Sequence, residues 1–200
     1  MFERSAKPAL VVIDVQKGFD DPQWGRRNNP QAESNIRKLL DAWRAARLPI
    51  IFIQHCSKEK KSPLRRGAPG NDIKEIVAPR RPEPILRKNV NSAFIGTRLE
   101  PLLRKKRIRA VVLVGLTTDH CVSTTARMAG NMGFDTYVVS DATATFDRSG
   151  PDGRKFKAEE VHSVNLASLH KEFATITDTR SLLKALIRPK TERIERRRSE

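Results

Sequence analysis

At 200 residues and 38% hydrophobic content, the chain is long enough for one domain that buries roughly 70% of its unfolded surface, so neither a structural metal nor a disulfide framework is required. Its two cysteines, Cys56 and Cys121, suit a reducing compartment, and no stretch approaches the ~18 apolar residues of a membrane span, which makes a cytoplasmic protein with no membrane partner the expectation. The net charge of +16 comes with few aromatic residues between the basic runs, which argues against nucleic acid as the main partner and leaves steering of an anionic small molecule, or solubility alone, as its use.

Residues 9–15 form the first apolar run. Its unbroken apolar part, residues 9–13, is short and stops at Asp14, so it reads as a buried strand and not as the core of a signal peptide. A loop to Pro30 leads into an amphipathic helix over 31–46, and residues 49–54 make a second strand. A Pro-, Gly- and Lys-rich loop fills 57–84, with turn signals at Ser62-Pro63 and Pro69-Gly70-Asn71. Residues 85–87 read as a short strand, 97–106 as a helix and 110–115 as a buried strand. A helix over 119–133, a strand over 134–140 and a helix over 159–170 follow. Residues 174–176 are the last strand and 178–186 the last helix, with Asp178 as its cap. Near-continuous apolar strands alternating with helices predict a three-layer αβα, Rossmann-like fold with a mostly parallel sheet of about six strands. The expected domain covers 1–188, and the basic stretch 189–200 is too poor in apolar residues to pack, so disorder is expected there.

In a parallel sheet, ligands bind beyond the carboxyl ends of the strands. Asp14 ends the first strand, Lys88 follows the third and Cys121 lies just past the fourth, so all three reach one rim. Val114-Gly115-Leu116-Thr117-Thr118-Asp119-His120-Cys121 runs from a buried strand through a tight turn into a helix. A thiol in the first helical turn faces unpaired N–H groups and the positive end of the helix dipole, which favours its thiolate. Carboxylate, ammonium and thiol together make a nucleophile with a base and electrostatic support. His120 is not a dyad partner, because adjacent helical residues point about 100° apart. His162 and His170, on a later helix, read as packing residues.

Val12-Ile13-Asp14-Val15-Gln16, then Lys88, then Gly115-Leu116-Thr117-Thr118-Asp119-His120-Cys121-Val122 resemble the signature segments of isochorismatase-like cysteine hydrolases, and Ser140-Asp141-Ala142-Thr143-Ala144 resembles the segment after that family's fifth strand. The resemblance covers residues 8–187 in order. It implies a catalytic set of Asp14, Lys88 and Cys121, and an oxyanion hole at a non-proline cis peptide, Leu116–Thr117, formed with the backbone of Thr117 and Cys121. It also implies a homo-oligomer, dimer or tetramer. The implied activity is hydrolysis of a C–N bond other than a peptide bond, in a small amide, ureido or imide-type substrate, through a thioester on the cysteine.

Nicotinamidases of this family carry a metal-binding Asp-x-His after the second strand; here Gln54-His55-Cys56-Ser57 stands instead. That departure argues against a metal, and no cofactor is expected. A lone His55 reads as a pocket residue, since a metal site needs several donors. The expected pocket comprises Gln16, Phe19, Trp24, Arg27, Asn28, His55, Phe94 and Thr118, with Arg27 available to an anionic group in bidentate fashion. The competing reading is a catalytically idle protein on the same fold that binds a ligand or nucleic acid. An intact Asp14, Lys88 and Cys121 set favours the enzyme.

Overall fold

The computed structural model describes residues 7–187, so the stretch 189–200 lies outside the described residues. In chain order the elements are β1 (Ala9–Ile13), α1 (Ala32–Ala45), β2 (Ile50–His55), β3 (Ile85–Lys88), α2 (Leu99–Lys105), β4 (Ala110–Leu116), α3 (Ser123–Asn131), β5 (Asp135–Ala144), β6 (Arg148–Ser149), β7 (Lys155–Phe156), α4 (Ala158–Leu169), β8 (Thr175–Thr177) and α5 (Thr179–Ile187). Six strands form a parallel sheet in the order β3-β2-β1-β4-β5-β8. The two half-sheets wind outward from β1 and β4, which places the switch point, and hence the site, beyond their carboxyl ends.

Each central strand is buried on both faces, which is why it reads as an unbroken apolar run. Along β1, Ala9, Val11 and Ile13 point into a cluster with Leu99, Leu103, Val122, Ala126 and Leu166. Leu10 and Val12 point the other way, against Ile36, Leu39, Leu40 and Trp43 of α1 and Leu182 of α5. The α1 positions recur at helical spacing, so one stripe of that helix covers the sheet. Asp178 caps α5, its carboxylate accepting the Ser181 N–H at 2.8 Å.

Three segments depart from the sequence expectation. The helix expected over 119–133 opens as a π-helical turn over Thr118–Val122, the Val122 N–H reaching back to Thr117 O, before α3 begins. Such wide turns recur at functional sites. β5 runs on to Ala144, past the polar Ser140-Asp141 that marked its expected end. A register shift between Leu113 and Gly115 lets Thr143 and Ala144 pair with β4, and the Asn29 amide holds the Ser140 and Thr143 carbonyls at 2.9 and 2.7 Å. The two-stranded hairpin β6–β7 has no counterpart in the expectation, because its strands are only two residues each.

Gly115 is required where it stands. Its φ is +122°, and a Cβ there would lie 2.0 Å from the Ile13 carbonyl oxygen. Only glycine lets β4 pass this close to the end of β1, where Asp14 begins.

Candidate active site

Asp14 follows β1 directly and sits in the left-handed region, at φ +51°, which turns its side chain away from the strand direction. Lys88 is the last residue of β3, and Cys121 lies in the π-helical turn after β4. Because β2 separates β3 from β1, their main chains are about 10 Å apart. The length of a lysine crosses that gap. Lys88 Nζ reaches Asp14 Oδ2 at 2.5 Å and Cys121 Sγ at 3.3 Å. All three residues are buried, at 0, 3 and 7% exposure for Asp14, Lys88 and Cys121.

Two buried oxygens at this point have no hydrogen-bond partner among the described residues: Asp14 Oδ1 and Thr117 Oγ1. Unpaired buried acceptors are rare and call for a functional account. The peptide bond Leu116–Thr117, between β4 and the turn, is cis. Asn91, in the loop after β3, places its Oδ1 3.8 Å from the sulfur. No sequence signal distinguished it from its neighbours Asn89 and Ser92.

The electrostatics reverse one expectation. Burial pushes the Cys121 thiol well above the ordinary thiol value, the adjacent Asp14 carboxylate pushes it further, and the Lys88 ammonium offsets only part of this. The thiolate stabilisation expected from a helix start does not prevail, because the cysteine is enclosed beside an anion and its turn is a wide π turn. Burial also works against the charge of Lys88, but Asp14 and Cys121 outweigh it and hold the ammonium above the usual lysine range. The resting centre is therefore a neutral thiol beside a carboxylate–ammonium pair.

Asp14, His55 and Cys121 each offer a metal-capable atom within 4.8 Å of the others. The Lys88 ammonium, however, touches all three, with His55 Nδ1 at 3.2 Å. A cation already fills the space between these donors, so the residues present do not fit a metal ion.

The residues expected to form the pocket are placed as follows. The Gln16 side chain is fully buried and bonded to the main chain of His55 and Asn71. Phe19 stacks on Phe146 at 6.2 Å and meets Trp24 at 5.4 Å. Trp24 donates to Gly18 O and, with Arg26 and Arg148, lines a cleft of about 340 Å³. Arg27 is committed to Glu33 in a bidentate pair at 2.6 and 2.8 Å, and Lys74 reaches the same carboxylate. It has no fork left for a substrate. Burial opposes ionisation of Glu33, but Arg27 and Lys74 outweigh it and lower the carboxyl to about 2.

Asn28 clamps Thr145, its Oδ1 accepting the Thr145 N–H at 2.7 Å. Phe94 stacks on Phe134 in the apolar core. Thr118 is fully buried, and its hydroxyl lies 2.9 Å from His162 Nδ1. His162 therefore ties α4 to the turn that carries Cys121, where the sequence suggested packing alone. Asp119 in the same turn accepts from Thr145 Oγ1 at 2.5 Å and Arg148 Nε at 2.7 Å, which anchors the β6–β7 hairpin.

Among the described residues no helix is long and apolar enough to cross a membrane. Residues 8–181 match the sequence model of the isochorismatase domain. The chain is 50% identical over 182 residues to the isochorismatase family protein YrdC of Bacillus subtilis, covering 91% of this chain and 97% of that protein. It is 31% identical over 195 residues to nicotinamidase 3 of Arabidopsis thaliana, covering 90% and 88%. Among solved structures, an isochorismatase family protein from Chromobacterium violaceum superposes with a TM-score of 0.90 at 45% identity, covering 93% of this chain and 96% of that one.

Proposed function

The chain belongs to the isochorismatase family, and from that premise we propose that it is a cysteine hydrolase that cleaves the C–N bond of a small amide, ureido or imide compound with Asp14, Lys88 and Cys121. The observation that carries the reading is the buried contact set itself. One ammonium touches both a carboxylate and a thiol, and the second carboxylate oxygen has no hydrogen-bond partner among the described residues.

In this reading Lys88 holds Asp14 in place through Oδ2 while Oδ1 receives the thiol proton. Cys121 Sγ attacks the carbonyl carbon as that proton leaves, so no free thiolate need accumulate. The carbonyl oxygen of the tetrahedral intermediate takes the negative charge against the backbone N–H groups of Thr117 and Cys121. Asp14 returns the proton to the departing nitrogen, the C–N bond breaks, and a thioester remains on Cys121. Asp14 then takes a proton from water, which attacks the thioester and releases the acid and the thiol. The net reaction consumes one water and yields a carboxylic acid and an amine or ammonia. The relative named nicotinamidase 3 acts on an amide of this general kind. The absence of Asp-x-His around His55 turns the proposal away from nicotinamide itself.

The test is ammonia release across a panel of small primary amides, ureido acids and cyclic imides, with intact-mass detection of an acyl adduct after rapid quench. The expected result is turnover of at least one class, an adduct mapped to Cys121, and loss of turnover by at least 10³-fold in Cys121→Ala. Turnover that survives Cys121→Ala overturns the covalent mechanism.

A further inference from the structure

An ammonium carries three N–H bonds, and three acceptors surround Lys88 Nζ: Asp14 Oδ2 at 2.5 Å, Cys121 Sγ at 3.3 Å and His55 Nδ1 at 3.2 Å. The mechanism above uses the first two and leaves the third without a task. We propose that His55 is a positioning residue: its neutral imidazole accepts the third N–H of Lys88 through Nδ1 and so fixes the ammonium between the base and the nucleophile.

The backbone register brings this about. His55 is the last residue of β2 and is the Cα partner of Lys88 across the β2–β3 ladder. Directly paired residues project to the same face, so the ring stands beside the lysine chain as it crosses β2 toward Asp14. The main chain of His55 is pinned on both sides. Its N–H donates to Gln16 Oε1 at 2.8 Å, and its carbonyl accepts from Gln16 Nε2 at 3.0 Å and from Asn71 Nδ2 at 2.7 Å. Gln16, fully buried, and Asn71, nearly so, thus serve the site through His55. Two segments converge on the main chain of this one residue.

Lys88 can only donate, so the contact is a hydrogen bond only if Nδ1 is unprotonated, which assigns the ring proton to Nε2. The surroundings keep the ring neutral. Burial and the Lys88 charge both lower the His55 pKa below its ordinary value. Asp14, Glu59 and the Val90 carbonyl act in the opposite direction without overcoming them.

The proposal rests on the Asp14–Lys88–Cys121 reading, but its test needs no substrate. The first measurement is the tautomer of His55 in the full chain at pH 7.5, read from long-range ¹⁵N–¹H correlations after histidine labelling and assigned with His55→Asn. The expected result is protonation at Nε2, with the Nδ1 resonance moving when Lys88→Met removes the donor. Protonation at Nδ1 overturns the proposal, because an N–H would then face an ammonium.

The second measurement is the alkylation rate of Cys121 by iodoacetamide at pH 8, resolved from Cys56 by peptide mapping. His55→Asn keeps an acceptor near the Nδ1 position and is expected within about threefold of the unmutated protein, whereas His55→Phe keeps the bulk without the acceptor and is expected about five- to tenfold slower. A His55→Phe rate equal to or above that of the unmutated protein overturns the positioning role. Should His55→Phe fail to fold, the tautomer decides alone. A chain that passes both measurements yet hydrolyses no amide would sink the proposed activity and leave the role of His55 standing.

Discussion

Replacing Asp14 by asparagine removes a charge from the centre while leaving its shape nearly unchanged, and the two functions of the cysteine should then move in opposite directions. The reacting atoms of Asp14 and Cys121 lie within 4.8 Å of each other. At an effective dielectric constant of about 20, one unit charge at that separation is worth roughly 3.5 kcal/mol, equivalent to about 2.5 in the thiol pKa. The Lys88 ammonium remains, now with the sulfur 3.3 Å away as a group able to carry a compensating negative charge. Cys121 in Asp14→Asn should therefore ionise far more readily than in the unmutated protein, where burial and Asp14 together suppress its thiolate. Intrinsic nucleophilicity falls as the thiol pKa falls, with a Brønsted coefficient of about 0.4–0.5, which leaves a net gain of about twentyfold in alkylation rate at pH 7.

Amide hydrolysis should collapse in the same variant, since asparagine cannot accept the thiol proton. The assay is second-order iodoacetamide labelling of Cys121 between pH 5 and 9, followed by mass spectrometry, alongside the ammonia-release panel. An alkylation rate in Asp14→Asn equal to or below that of the unmutated protein would refute the electrostatic argument. It would mean that Cys121 rests as a thiolate, or that Asp14 is not the charge that suppresses it.

Lys88→Met should shift the same labelling the other way, slowing alkylation across the whole pH range, and should cost about 3–5 kcal/mol in urea unfolding because Asp14 is left buried without its partner; unchanged stability would argue against a buried ion pair. Gly115→Ala should destabilise by at least about 4 kcal/mol or prevent folding, since the added carbon meets the Ile13 carbonyl at 2.0 Å from a φ of +122°. A loss under about 1 kcal/mol would mean that β1 and β4 separate easily at this end. Glu33 supplies a pH dependence: its carboxyl, lowered from 4.5 to about 2, favours the folded state above pH 4.5, and that contribution is lost as pH falls toward 2. The full difference would be about 3 kcal/mol, and partial solvent access reduces it to about 1–2 kcal/mol. The stability gap between the unmutated protein and Glu33→Gln should narrow by that amount between pH 7 and pH 2, and a constant gap would contradict it.

How much of this could be read from the sequence depends on whether the information was local. β1 and β4 were legible because a strand buried on both faces has to be apolar at consecutive positions. The candidate residues were legible because Asp14, Lys88 and Cys121 each interrupt or follow such a run, and a parallel sheet carries strand ends to one rim. Arg27 was misjudged as available because its partner Glu33 looks like an ordinary first-turn acid of α1, and Lys74, the third member of that cluster, comes from a loop far along the chain. Phe94 offered the same ambiguity. An aromatic after the third strand can line a pocket or fill the core, and only the facing Phe134 decides for the core.

The sign of the Cys121 shift shows where local reasoning fails in principle. The helix-start argument counts the dipole and nearby N–H groups, all within a few residues of the sulfur, and it points to a stabilised thiolate. The opposing influences, burial within the packed core on one face of the sheet and a carboxylate 107 positions earlier in the chain, exist only once the sheet has assembled. They prevail here because desolvation acts on the whole thiolate charge, whereas the dipole contributes a fraction of one and fades within a turn. A cysteine that rests protonated needs a base at the moment of attack, so the proposed mechanism assigns to Asp14 the burden that the helix start was expected to share. That is why its removal should free the thiol and abolish the reaction together.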